Sequence, residues 1–251
     1  MNLFIRVVAQ RTTDNGKPSI EALFNSVFFG NRSELLSVMA NSFPELGLRS
    51  EDCTEMTWLE SILFFNGMSN QGIQALLNRS PAFNSSFKAK SDFVTTPITE
   101  PEFDNIWNFL MTAQDEPLTM IMDPFGGRMS DISPSATPFP HRRGVLYNIQ
   151  YFMAWSGAEA RATQEHLDWM RGLYSFMTPY VSKNPRAAYY NYKDLDLGRN
   201  SDGGTVSYER ARVWGEKYFK GNFKRLALVK GKVDPGNFFR NEQSIPPLLA
   251  Q

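Results

Sequence analysis

At 251 residues, with 42% hydrophobic and 21% charged positions, the chain has enough apolar material for a substantial core and is not a disordered composition. Its 26 basic and 26 acidic residues cancel to a formal net charge of +0, which leaves no electrostatic footprint for nucleic acid or an anionic membrane. A single cysteine, Cys53, excludes an intrachain disulfide; with only His141 and His166 beside it no metal site is expected, and no apolar run reaches the roughly 20 residues of a membrane span.

The opening run, MNLFIRVVAQ, reads as a strand entered directly and not as a leader peptide. Leu3, Ile5 and Val7 share one face; Phe4, Arg6 and Val8 share the other. A domain that opens mid-strand suggests a partner upstream. Asn15-Gly16 and Pro18 mark a turn, after which Leu23, Val27 and Phe29 recur at period two, predicting a second strand paired with the first. Leu35, Leu36 and Met39 predict a short helix that stops before Pro44, and Ile73, Leu76 and Leu77 mark another. Between them Glu51, Asp52, Glu55 and Glu60 read as a solvated face. Thr99 and Glu102 have capping-box spacing ahead of Phe103, Ile106, Trp107 and Leu110, so a helix starts there.

LTMIMD is a strand that runs into the double glycine of DPFGGRM, where a tight reversal is expected. The strand GVLYNIQYFMAW puts Val145, Tyr147, Ile149, Tyr151 and Met153 on one face and Leu146, Asn148, Gln150 and Phe152 on the other. A helix follows over about 157–177, on Leu167, Met170, Tyr174 and Met177. Strands with helices between them, and with hairpins among them, predict an α+β fold: an antiparallel sheet with helices on one face. Near Pro179 the chain turns polar and rich in tyrosine. We set a boundary at 183, giving a 1–183 domain and a 184–251 tail too small to stand alone, which is expected to dock on another unit. In the tail, a helix from about Ser207 carries Val213, Trp214 and Tyr218 and ends at Gly221, and an apolar stretch covers 223–229.

No dinucleotide, Walker, nucleophile-elbow or zincin motif is present. Asp194 and Asp196 read as turn and capping groups. Two features remain. Asn148 and Gln150 place amides on one face of an otherwise apolar strand, where they either bridge neighbouring backbone or line a pocket. The AYYNY run at 188–192 concentrates phenols; in an extended chain Tyr190 and Tyr192 share one side and Tyr189 and Asn191 the other, for packing or for chemistry. Asn-x-Ser triplets at Asn31, Asn78 and Asn84 hint at a secretory route, although such triplets also arise by chance.

Several runs resemble the C-terminal half of berberine bridge enzyme-like proteins, a plant family that includes cannabinoid synthases and monolignol and carbohydrate oxidases. They are LFIRV (3–7), MTWLESILF (56–64), PFPHRRGVLYNIQY (138–151), NPRAAYYNYKDLDLG (184–198), WGEKYFKGNFKRL (214–226) and VDPGNFFRNEQSIPPL (233–248), in the family's order across nearly the whole chain. The resemblance implies an FAD-dependent oxidoreductase in which 1–183 is most of a substrate-binding domain. The 184–251 tail would then return to a flavin domain of the vanillyl-alcohol-oxidase type, whose N-terminal half is a missing partner. Covalent flavin attachment is not carried onto Cys53, His141 or His166. The resemblance implies oxidation of an alcohol-type small-molecule substrate, with hydride passing to FAD and electrons then to oxygen or another acceptor.

By the same resemblance Tyr192 matches the tyrosine that acts as base, and Gln150 a strand position that holds a catalytic Glu or a substrate-orienting Gln. Glutamine there argues against berberine-type ring closure. Asn148, also on the substrate side, stands where relatives carry Lys or Glu and supplies no charge to acidify the tyrosine. Tyr189 and Asn191 match positions beside the flavin ring. The family setting implies secretion to the cell wall or the vacuole. The alternatives are a truncated, non-catalytic glycoprotein without the flavin half, or a secreted carbohydrate-binding module.

Overall fold

The structure, a computed structural model, describes residues 2–80, 85–113, 116–157, 159–200 and 207–249. Strands β1 (Leu3–Asp14) and β2 (Lys17–Phe28) meet at Asn15 and Gly16, whose φ angles are 49° and 77°. Two successive left-handed residues make the hairpin turn that Asn-Gly adopts at least cost. With β3 (Ser86–Val94), β4 (Leu118–Pro124) and β5 (Tyr147–Trp155) they form a five-stranded sheet in the order β2-β1-β4-β5-β3. The β1–β4, β4–β5 and β3–β5 pairings are all antiparallel, as the sequence predicts.

Register assigns the faces. Ala9 lies opposite Met120, Met120 opposite Tyr151, and Tyr151 opposite Lys90, so this row and those in phase with it share one side. Against it lie α3 (Glu100–Met111) and α5 (Ala160–Phe176), which bury Ile106, Leu110, Met170 and Leu173 on Met120, Ile149, Tyr151 and Met153. The Thr99–Glu102 capping box starts α3 as expected. The reversal expected at Gly126-Gly127 leads into a single helical turn, α4 (Arg128–Asp131).

β3 escapes a hydropathy reading because Lys88, Lys90 and Asp92 occupy the face turned toward the helices. Lys90 is 2% exposed and Asp92 0%. Buried charges need partners, and the tail supplies them. Lys90 Nζ reaches Asp194 at 2.5 Å and Asp196 at 3.0 Å, Lys88 Nζ reaches Asp194 at 2.7 Å, and Arg186 grips Asp92 through two bonds of 2.7 and 2.5 Å. Asp194 also caps a short 3-10 turn, Leu195–Leu197, so its expected capping role holds alongside an unforeseen ion pair.

The chain divides into two compact units, Met1–Ile5 with Asn25–Asn84, and Arg6–Phe24 with Ser85–Gln251. Residues on both sides of 183 fall in the second unit. In the first, α1 (Arg32–Ser42) and α2 (Trp58–Phe65) both start with capping boxes and bury Met39 and Leu63. The helix expected at 73–77 is a 3-10 turn, and Glu51, Asp52, Glu55 and Glu60 are exposed, as read from the sequence.

In the tail, α6 (Tyr208–Phe219) and α7 (Asn222–Val233) enclose Trp214, Tyr218, Phe219 and Phe223 in a second cluster; the apolar stretch at 223–229 is therefore helical. Gly231 on α7 lets the backbone of Leu248 lie directly on the helix, where Leu248 N–H donates to Ala227 O at 2.9 Å. A Cβ at 231 would collide with the Leu248 carbonyl. Gly231→Ala should therefore lower stability by about 1–3 kcal/mol in urea unfolding, despite alanine's better helix propensity.

Candidate active site

The sheet's second face is formed by residues in the opposite phase. In register these are Val8, Ile121, Gln150 and Ser91 in one row, with Asp123, Asn148 and Phe93 in the next. Arg6 extends that second row, its guanidinium bonded to both oxygens of Asp123 at 2.7 and 3.0 Å. Burial pairs the two charges without isolating them: the side chains are 30% and 19% exposed.

Tyr189 N–H donates to Ser91 Oγ at 2.8 Å, which seats the 188–192 segment on this face. Tyr192 N–H then donates back to Tyr189 O at 3.0 Å, closing a four-residue turn. The turn brings the Tyr189 and Tyr192 rings together edge-to-face, centroids 5.0 Å apart, and sends Tyr190 down onto Tyr218 and Phe219. This corrects the extended reading, which set Tyr189 apart from Tyr192. A turn, unlike a strand, puts its first and fourth residues on the same side. Asn191 is exposed and its Nδ2 donates to Tyr189 Oη at 2.8 Å.

The Tyr192 phenol is pushed above its ordinary value by burial and by Asp123, with Arg6 pulling the other way. Its electrostatic neighbours thus include the Arg6–Asp123 pair of the Asn148 row. Gln150 sits one row along, two residues from Asn148, a step of roughly 7 Å. Gln150 is half-buried, and among the described residues nothing bonds its amide. Asn148 differs: it is 2% exposed and its Nδ2 donates to Asp92 O at 2.7 Å. Of the two roles open to that amide, one of its N–H groups takes the backbone-bridging one.

Aromatic rings wall the site. Phe93 meets Phe125, Phe139 and Tyr189 and stacks on His141 at 3.9 Å. His141 is buried and bonded to Tyr218 O at 2.9 Å; desolvation, with help from Lys220, lowers its pKa to about 3, making it a neutral packing group. His166 pairs with Glu116 at 2.6 Å instead, and no group of three His, Cys, Asp or Glu among the described residues is arranged to hold a metal. No described helix is long and apolar enough to cross a membrane.

The family model "Berberine and berberine like" matches residues 188–246, the segment that carries the tyrosine turn and the tail helices. Berberine bridge enzyme-like 22 of Arabidopsis thaliana is 53% identical over 249 residues, covering 99% of this chain and 46% of the relative. The chain matches the C-terminal portion of berberine bridge enzyme-like proteins. Monolignol oxidoreductase AtBBE-like 13 of the same plant is 45% identical over 252 residues, again 99% of this chain and 46% of the relative. The crystal structure of Phl p 4, a grass pollen allergen with glucose dehydrogenase activity, superimposes with a TM-score of 0.87 at 45% identity, over 99% of this chain and 49% of that one. The chain spans about half the length of the relatives it matches, a share that fits their C-terminal portion.

The sequence missed Arg6 and Asp123. Both carried a signal: Arg6 is a charge on an apolar strand face, and Asp123 ends the strand that pairs with it. Reading the two strands as antiparallel neighbours would have joined them. It would also have supplied the cation beside Tyr192 that Asn148 cannot provide.

Proposed function

We propose that this berberine bridge enzyme-like chain supplies the substrate side of an FAD-dependent oxidoreductase that oxidises an alcohol-type substrate, such as a carbohydrate or a phenylpropanoid alcohol. One observation carries the reading: an uncommitted amide, Gln150, lies one sheet row from Asp123, and the Tyr192 phenol has Asp123 and its partner Arg6 as electrostatic neighbours. Glucose and monolignols, named for two of the relatives, both present hydroxyl groups, which supports this substrate class.

The residues on this face fit a flat, mixed polar ring. Tyr189 offers an aromatic wall with Phe93 and Phe139, and the exposed Asn191 offers a neutral amide at its edge. Those two would hold the cofactor, with 184–251 as the returning part of the flavin domain and 1–183 as substrate domain. FAD, when bound, would supply the acceptor for the hydride of the substrate carbon. Gln150 orients the substrate hydroxyl; as a neutral amide it cannot take the proton. Tyr192 Oη takes it, and Arg6 is the group that favours the resulting phenolate. The enzyme follows the secretory route to the cell wall or vacuole and passes its electrons to oxygen or another small acceptor.

The test mixes flavin-loaded enzyme containing this chain, without oxygen, with sugars, phenylpropanoid alcohols and benzylisoquinoline amines. The visible flavin band should bleach with an alcohol. Bleaching by the amines alone, or by nothing in the panel, would remove the alcohol assignment.

A further inference from the structure

The link between β2 and α1 is only Phe29, Gly30 and Asn31. Asn31, Arg32 and Ser33 form an exposed Asn-x-Ser triplet. The asparagine's two ends are used differently. Its Oδ1 accepts from Ser33 Oγ at 2.7 Å and from Glu34 N–H at 3.0 Å, capping α1, while among the described residues nothing bonds its Nδ2. A sugar on that nitrogen would leave the cap intact. Two residues earlier, Phe29 is 60% exposed and stacks on Trp58, itself 58% exposed, with ring centroids 5.6 Å apart. Two large rings left in water are unfavourable, and their flat apolar surface suits the C–H face of a pyranose. Asn78 has the same triplet, with Oδ1 taken by Ser80 N–H at 3.0 Å, but Leu76 stands where Phe29 would be. Asn84 lies outside the described residues.

We propose that Asn31 is an N-glycosylation site and that the first sugar of its glycan covers the Phe29–Trp58 surface. The donor is an oligosaccharide carried on a lipid diphosphate. The Asn31 amide nitrogen bonds to the anomeric carbon and gives up one proton, while the bond from that carbon to the diphosphate oxygen breaks and the lipid diphosphate leaves.

The test uses protein purified from plant cells. Enzymatic glycan release in heavy-oxygen water should convert residue 31 to an aspartate bearing one heavy oxygen, read by peptide mass spectrometry. Ser33→Ala and Asn31→Asp both abolish the triplet yet keep an acceptor for Glu34 N–H, so loss of the glycan from either is not a helix-cap defect. Releasing the glycan should lower the thermal midpoint of the unaltered protein more than that of Phe29→Ala. An unmodified Asn31 overturns the site, and equal shifts in the two proteins overturn the covering role.

Discussion

Replacing Arg186 with leucine should cost about 3–5 kcal/mol of stability near neutral pH, because it strands a carboxylate in the interior. Asp92 is 0% exposed and, among the described residues, would keep the Tyr151 hydroxyl, at 3.0 Å, as its one side-chain hydrogen-bond partner. Even with Arg186 in place, burial pushes Asp92 up to about 6 from an ordinary 3.8. The folded chain therefore holds this proton more tightly than the unfolded chain does. Its contribution to stability is greatest below about pH 4, declines as pH rises toward about 6 and is level beyond. Without the guanidinium the carboxyl moves further up, so the decline extends to higher pH. The loss measured by urea unfolding should be smaller at about pH 5 than at about pH 8. Asp92→Asn in the Arg186→Leu background should restore part of it. Equal losses at both pH values would show that the lost stacking of Arg186 on Tyr174, 3.4 Å from guanidinium carbon to ring centre, governs the effect instead.

Tyr192→Phe should slow reduction of the bound flavin by about 10²–10⁴-fold, the usual worth of a positioned proton acceptor. The substrate's apparent Kd should change little, since the ring stays and only the hydroxyl goes. Stopped-flow bleaching against substrate concentration separates the two. Burial and Asp123 hold the phenol above its ordinary 10, so its ionised form is scarce near neutrality. The reduction rate of the unaltered enzyme should therefore climb with pH, and the climb should vanish in Tyr192→Phe. A large rise in Kd with an unchanged limiting rate would make Tyr192 a binding group only.

How much of this was legible beforehand depends on where each signal sits. The first hairpin was readable because Asn15-Gly16 is a local turn code. α3 was readable because Thr99 and Glu102 cap it within four residues. β3 was not, because Lys88, Lys90 and Asp92 look solvated until Asp194, Asp196 and Arg186 return from about a hundred residues downstream to pair with them. The amides on β5 were found by strand periodicity, but only the neighbouring strand separates the two: Asn148 meets Asp92 O and Gln150 does not. Periodicity failed at Tyr189 and Tyr192, where one backbone hydrogen bond turns the chain and reverses the face assignment. The roles proposed for Tyr192 and Gln150 rest on family resemblance. No local pattern separates Tyr192 from a packing phenol such as Tyr190.

Tyr192 and Gln150 are proposed to address one substrate hydroxyl, and a double-mutant cycle on anaerobic flavin reduction measures that directly. Gln150→Leu should slow reduction strongly in the unaltered enzyme and far less in Tyr192→Phe, a coupling of about 1–3 kcal/mol. Additive effects would mean the two side chains act on different things, and the shared substrate site would have to be given up.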